Sequence, residues 1–111
     1  MTANELRIHI ESNIEDFLKT PITINEFTAY SPETTESAVF YPFQAIISFD
    51  YKEDSLIDCW ERANNICESF KHKNLNGLIT KTQIKKFCAN PIDNTCVVHL
   101  TLHIVGMYKE N

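Results

Sequence analysis

The sequence has only two glycines, Gly77 and Gly106, in 111 residues, and that scarcity excludes the best-defined ligand-binding loops. A phosphate loop, a dinucleotide fingerprint and a nucleophile elbow each need glycine at fixed positions, so that backbone amides can approach a ligand or turn sharply. Basic tracts are missing too. No basic run exceeds two adjacent lysines, and 10 Lys+Arg stand against 15 Asp+Glu for a formal charge of -5. A chain whose main partner is nucleic acid carries a positive footprint instead. Purely apolar runs last a few residues only, which leaves nothing long enough to span a bilayer. The opening Met1-Thr2-Ala3-Asn4-Glu5 has neither the basic region nor the apolar region of an export signal, so a cytosolic setting is expected. Short cysteine knuckles are also absent: Cys59, Cys67, Cys88 and Cys96 are separated by eight, twenty-one and eight positions. That spacing does not suit a structural zinc site, and no metal or cofactor is expected. In a reducing compartment the four thiols are expected to stay free, with Cys59 and Cys67 filling the apolar side of a helix.

What the chain does have is apolar content: 43% hydrophobic and 11% aromatic. That is enough to bury one core and too much for a disordered chain. Residues 5–19 carry Leu6, Ile10, Ile14, Phe17 and Leu18 at helical spacing, opened by a Thr2/Glu5 capping box and stopped by Thr20-Pro21. Residues 22–30 are rich in Ile, Thr, Phe and Tyr and predict a strand, with Pro21 compatible with an edge position. The polar, acidic stretch 31–38 reads as an exposed loop carrying Glu33 and Glu36. Strict alternation from Phe43 to Tyr51 predicts a strand over 42–51. The period then lengthens: Leu56, Trp60, Ala63, Cys67 and Phe70, widened by Ile57 and Ile66, predict a helix over 54–73 with Trp60 as a core anchor. Asp54 and Ser55 supply N-cap oxygens, Lys71, His72 and Lys73 complement the helix dipole, and Asn76-Gly77 ends the helix. Strands over 78–89 and 96–108 complete a hairpin around a turn at 90–94. In the second of them Val98, Leu100, Leu102 and Ile104 point one way and His99 and His103 the other. The order helix, strand, strand, helix, strand, strand defines a single α+β domain, mainly antiparallel, with two helices on one face of the sheet.

Several side chains are candidates for contact rather than core. His99 and His103 lie roughly 13 Å apart at about 3.3 Å per residue, too far to share a metal ion but well placed on a contact surface. Lys81 and Lys85 make the first hairpin strand largely polar, and its exposed side is expected to be wet or covered by another molecule. Tyr41 and Phe43 before the strong strand, and Tyr108 after the last, exceed what so small a domain readily buries. A Cys-His nucleophile from Cys88 or Cys96 with His99 or His103 is conceivable. It lacks the Gly-rich backbone or helix N-terminus that builds an oxyanion hole, so no enzyme is expected.

The Asn4-Glu5-Leu6-Arg7 opening, Tyr41-Pro42-Phe43 leading into a strand, an acidic turn entering a Trp60 helix, and a closing hairpin through Tyr108 resemble the tail terminator proteins of long-tailed bacteriophages. The resemblance implies a virion assembly protein. It forms a ring of its own copies, typically a hexamer, that caps the tail tube, ends tube polymerisation and offers a surface to the head-tail connector. It also implies assembly in the bacterial host cytoplasm and residence in the tail or neck, with neither nucleic acid nor membrane as partner. A small acidic adaptor or inhibitor steered onto a basic protein is the alternative that composition alone allows.

Overall fold

The computed structural model describes residues 1–73 and 79–110, without the side chains of 71–73. The expected Asn76-Gly77 turn and the Lys71, His72 and Lys73 side chains therefore lie outside the described residues. Helix α1 is Ala3–Leu18, and its start is the expected capping box: Glu5 N–H donates to Thr2 Oγ1, and Thr2 N–H donates to Glu5 Oε1, both at 3.1 Å. The Thr2 hydrogen bonds hold the Glu5 carboxyl below the usual carboxylate range. Lys19 ends the helix in the left-handed region at φ 59, and Glu15 reaches past it to accept the Ile22 N–H at 2.9 Å.

Strands β1 (Thr23–Ala29), β2 (Glu33–Thr34) and β3 (Val39–Glu53) follow, then helix α2 (Leu56–Lys73) and strands β4 (Ile79–Ile92) and β5 (Thr95–Glu110). The acidic loop is thus not loop throughout, because Glu33 and Thr34 pair with Phe40 and Val39. Strand β3 is longer than expected at both ends, since β5 runs beside it over its whole length and satisfies its backbone groups. The hairpin turn is tighter than the expected 90–94: β4 runs on through Pro91 and Ile92, and Asp93 turns the chain at φ 56. Aspartate tolerates that left-handed conformation better than a branched residue does.

The five strands form one antiparallel sheet in the order β1-β3-β5-β4, with β2 extending the β1 side of β3. Both helices cover the same face. Phe43, Ala45, Ile47 and Phe49 of β3 and Val98, Leu100, Leu102 and Ile104 of β5 are buried there beneath Leu6, Ile10 and Ile14 of α1 and Cys59, Ala63 and Phe70 of α2. Removing each large side chain from water is worth about 1.5–3 kcal/mol. Phe17 and Phe70, with ring centroids 5.1 Å apart, join the two helices. Strand β4 reaches the same core by an irregular route. Bulges at Thr80 and Lys85 turn Ile79, Thr82, Ile84, Phe87 and Ala89 onto the helix side, opposite Gly106, Ile104, Leu102, Leu100 and Val98.

Helix α2 starts on Ser55, whose Oγ accepts the Asp58 N–H at 3.1 Å. Cys59 at its base donates to the Cys96 carbonyl at 3.5 Å, and burial beside Cys96 pushes the Cys59 thiol up to about 11. Tyr51 donates its hydroxyl to the Cys59 carbonyl at 2.6 Å, and burial raises its phenol to about 12. Trp60 departs from expectation. It is 48% exposed on the β4 side of the helix, edge-on to Phe87 at 5.1 Å, because among the described residues no strand lies beyond β4 to cover it.

Candidate assembly surfaces

Among the described residues, the helices cover one face of the sheet and leave the other bare. On the bare face, register aligns residues into rows across the strands. Thr28, Gln44, Val105 and Lys81 form one row; Glu26, Ile46, His103 and Gln83 the next; then Thr23, Ser48, Thr101 and Lys86. Beyond them come Asp50, His99 and Cys88. Half-buried Phe40, Ile46, Val97, Val105 and Met107 make the middle of this face partly apolar. Polar pairs cross it. His99 Nδ1 and Asp50 Oδ1 are 2.6 Å apart, and His103 Nε2 lies 3.0 Å from Gln44 Oε1, while Gln44 Nε2 donates to the Tyr30 hydroxyl at 2.7 Å.

Cys88, His99 and Asp50 share a row in the order of nucleophile, base and orienting acid. Ladder N–H groups there point along the sheet plane rather than out of its face. Cys96 is buried on the opposite, helix-covered face, away from both histidines of the bare one.

The contact candidates therefore separate. Lys81, Lys85 and His99 are exposed, and His103 is half-buried on the bare face. Glu33 and Glu36 are exposed at the β1–β2 side. Tyr41 and Phe43 are not surface residues: they are 8% and 1% exposed, in phase with Ile47 on the helix side. Tyr41 donates to Glu110 Oε1 at 3.2 Å. Tyr108 is half-buried on that same side, stacked on His9 with centroids 5.4 Å apart. The acidic group around the start of α2 is dispersed: Asp50 faces His99, Glu53 pairs with Arg62 at 2.8 Å, and Asp54 and Asp58 flank the helix cap.

A further surface escaped the sequence reading. Leu56, Ile57 and Trp60, at 60%, 69% and 48% exposure, form the outer flank of α2, and Ile92 is 53% exposed at the end of β4. Between them lies a hollow of about 410 Å³ lined by Leu56, Ala89, Pro91, Thr95 and Cys96 among others. The signal was present in the width of the α2 stripe: Leu56, Ile57 and Trp60 span more of the helix circumference than one buried seam needs. No family model matches the chain, and no curated protein matches it in sequence.

Proposed function

We propose that this chain is a non-catalytic assembly protein that forms a ring capping the tail tube of a long-tailed bacteriophage. In this reading the ring, of six copies, ends tube polymerisation, presents the surface to which the head-tail connector joins, and resides in the tail or neck of the virion. The observation that carries the reading is the pair of lateral edges, β4 and β1–β2, left open among the described residues. Open edges are a liability that a monomer blunts, and an assembly protein uses two different ones to join its copies. The two helices over one face of the antiparallel sheet leave these edges free to join other copies.

The test is direct. Purified protein added to polymerising tail tube protein is expected to shorten the tubes and to leave added density at one tube end in negative-stain images. Tubes of unchanged length, with no protein cosedimenting, would remove the reading.

A further inference from the structure

We propose that copies of this chain join side by side, the β4 edge of one against the β1–β2 edge of the next, so that sheet and helix layer continue from copy to copy. This deepens the ring reading and rests on it for closure. Three observations lead to it, and the size of the contact decides how tightly it holds.

The two edges carry opposite charge. Lys81, Lys85 and Lys86 are exposed on β4, and none has an ion-pair partner among the described residues. Glu26 is exposed on β1, with Glu33 on β2 beyond it. Register supplies the alignment. Lys81 lies in the row of Thr28 and Lys86 in the row of Thr23, while Glu26 lies between those rows. A neighbour placed without any shift along the strands therefore sets its Glu26 between Lys81 and Lys86.

Charge also selects the other edge over the same one. Two β4 strands paired about a two-fold axis through the middle of the strand set lysines against lysines, and like charges directly opposite are destabilising. The β1–β2 edge accepts them.

Exposed apolar side chains follow the same division. Leu56, Ile57, Trp60 and Ile92 lie on α2 and β4; Met1, Ile8 and Tyr30 belong to α1 or its start and to the end of β1. None of the large exposed apolar residues comes from the central strands β3 and β5. Because α1 lies against β1 and α2 against β4, a continued sheet brings the neighbour's α1 alongside the Trp60 flank.

The shared length is set by the shorter edge. Strand β1 has 7 residues, about 23 Å at about 3.3 Å each. With a domain 20 Å thick, this flank offers on the order of 460 Å². A stable isolated interface takes about 800 Å² from each partner, so a single contact is weak and holds best where each copy is gripped at both edges. Contacts between different patches either close into a ring or run on as a filament, so this surface serves a ring and no isolated pair.

The experiment is a charge exchange read by light scattering behind a sizing column and by negative-stain images, in solution and on tail tubes. The variants are Lys81→Glu/Lys86→Glu and Glu26→Lys, each checked for wild-type circular dichroism. Each alone is expected to weaken self-association by about tenfold or more, a loss of about 1.4 kcal/mol. Their equimolar mixture is expected to regain the wild-type mass, because each reversed edge then meets an opposite one; misfolded chains cannot do this. Loss in Lys81→Glu/Lys86→Glu with none in Glu26→Lys would leave the β1 edge out of the contact and overturn the proposal. So would a wild type that stays monomeric both in solution and on tubes, or a mixture that fails to recover. The tube separates this contact from the function. Assembly through these edges with tubes of unchanged length upholds the contact and removes the tail role. Capping by both variants as efficient as by wild type removes the contact alone.

Discussion

Replacing Trp60 by alanine distinguishes a surface tryptophan from a core one, and the structure sets the size of the effect. The side chain is 48% exposed, so about half of the roughly 200 Å² that a tryptophan can bury is out of water. At about 25 cal/mol per Å² that half is worth about 2.5 kcal/mol, of which alanine keeps a part. The expected cost is about 1.5–2 kcal/mol, including the lost edge-to-face contact with Phe87. No enclosed cavity adds to it, since the vacated space opens to solvent. Phe70, with 0% exposure at the contact between the helices, should lose about 3–5 kcal/mol as Phe70→Ala because a closed cavity remains. Urea unfolding followed by circular dichroism measures both, with unchanged slopes confirming that the two transitions compare like with like. The same residue reports on assembly: as the only tryptophan, Trp60 should emit at shorter wavelength when a neighbour covers it. A cost for Trp60→Ala equal to that of Phe70→Ala would refute the reasoning, since it would make Trp60 a core anchor and leave the α2 flank without its largest contact residue.

Other consequences are open to simple measurement. Thr2→Ala removes half of the capping box and should cost about 1 kcal/mol in thermal or urea unfolding. Because the Glu5 carboxyl is held below its unfolded value, the stability it contributes is present above the ordinary carboxylate range and is lost as pH falls through its lowered one. A Glu5→Gln variant should therefore show a shallower acid dependence of stability. Asp50→Ala breaks an exposed pair with His99 and should change stability by less than about 1 kcal/mol; a larger loss would show that the bare face is already covered in solution. Cys59 should react slowest with a thiol reagent at neutral pH, being fully buried and pushed up to about 11; Cys67 is slowed by burial that raises its thiol, so half-buried Cys88 reacts first. Folded stability should fall as pH climbs from about 9 to about 12, since the unfolded chain ionises Cys59 and Tyr51 before the folded one does.

Where side-chain period and burial coincide, the sequence was readable. Leu6, Ile10 and Ile14 made α1 legible, and Val98 to Ile104 did the same for β5. The alternation that revealed β3 also contained the fate of Tyr41 and Phe43, which share the parity of Ile47 and so belong beneath the helices; their bulk suggested surface, and parity decided. Strand β4 resisted because two bulges change its spacing to three, two, three and two, a pattern of neither strand nor helix. Nor does helical period disclose where a sheet stops. Cys59 and Trp60 are neighbours on one stripe, but only Cys59 has strand beneath it on both sides. Strand β2, two residues long, exists only through its partner on β3 and has no period of its own. As for the candidate surfaces, Lys81 and Lys85 could be read as exposed because polar residues crowd that strand, and His99 because alternation set it opposite Val98 and Leu100. The division of charge between the two edges could not, since it depends on which strands lie outermost.

The place of β5 in the sheet governs when the fold can exist. It follows every other strand of this sheet in the sequence, yet it lies between β3 and β4 and supplies the middle of the core. Until residues 95–110 leave the ribosome, β3 has only β1 and the two-residue β2 as partners, β4 has none, and both helices lack half of their floor. Synthesis thus withholds structure from the nascent chain and releases it all at once, with the slow search expected of strands distant in sequence. Until then the nascent chain offers no finished edge to its neighbours. Copies translated side by side on one message are spared premature joining at that stage, and stop codons anywhere before residue 95 should leave unfolded chain rather than a smaller working domain.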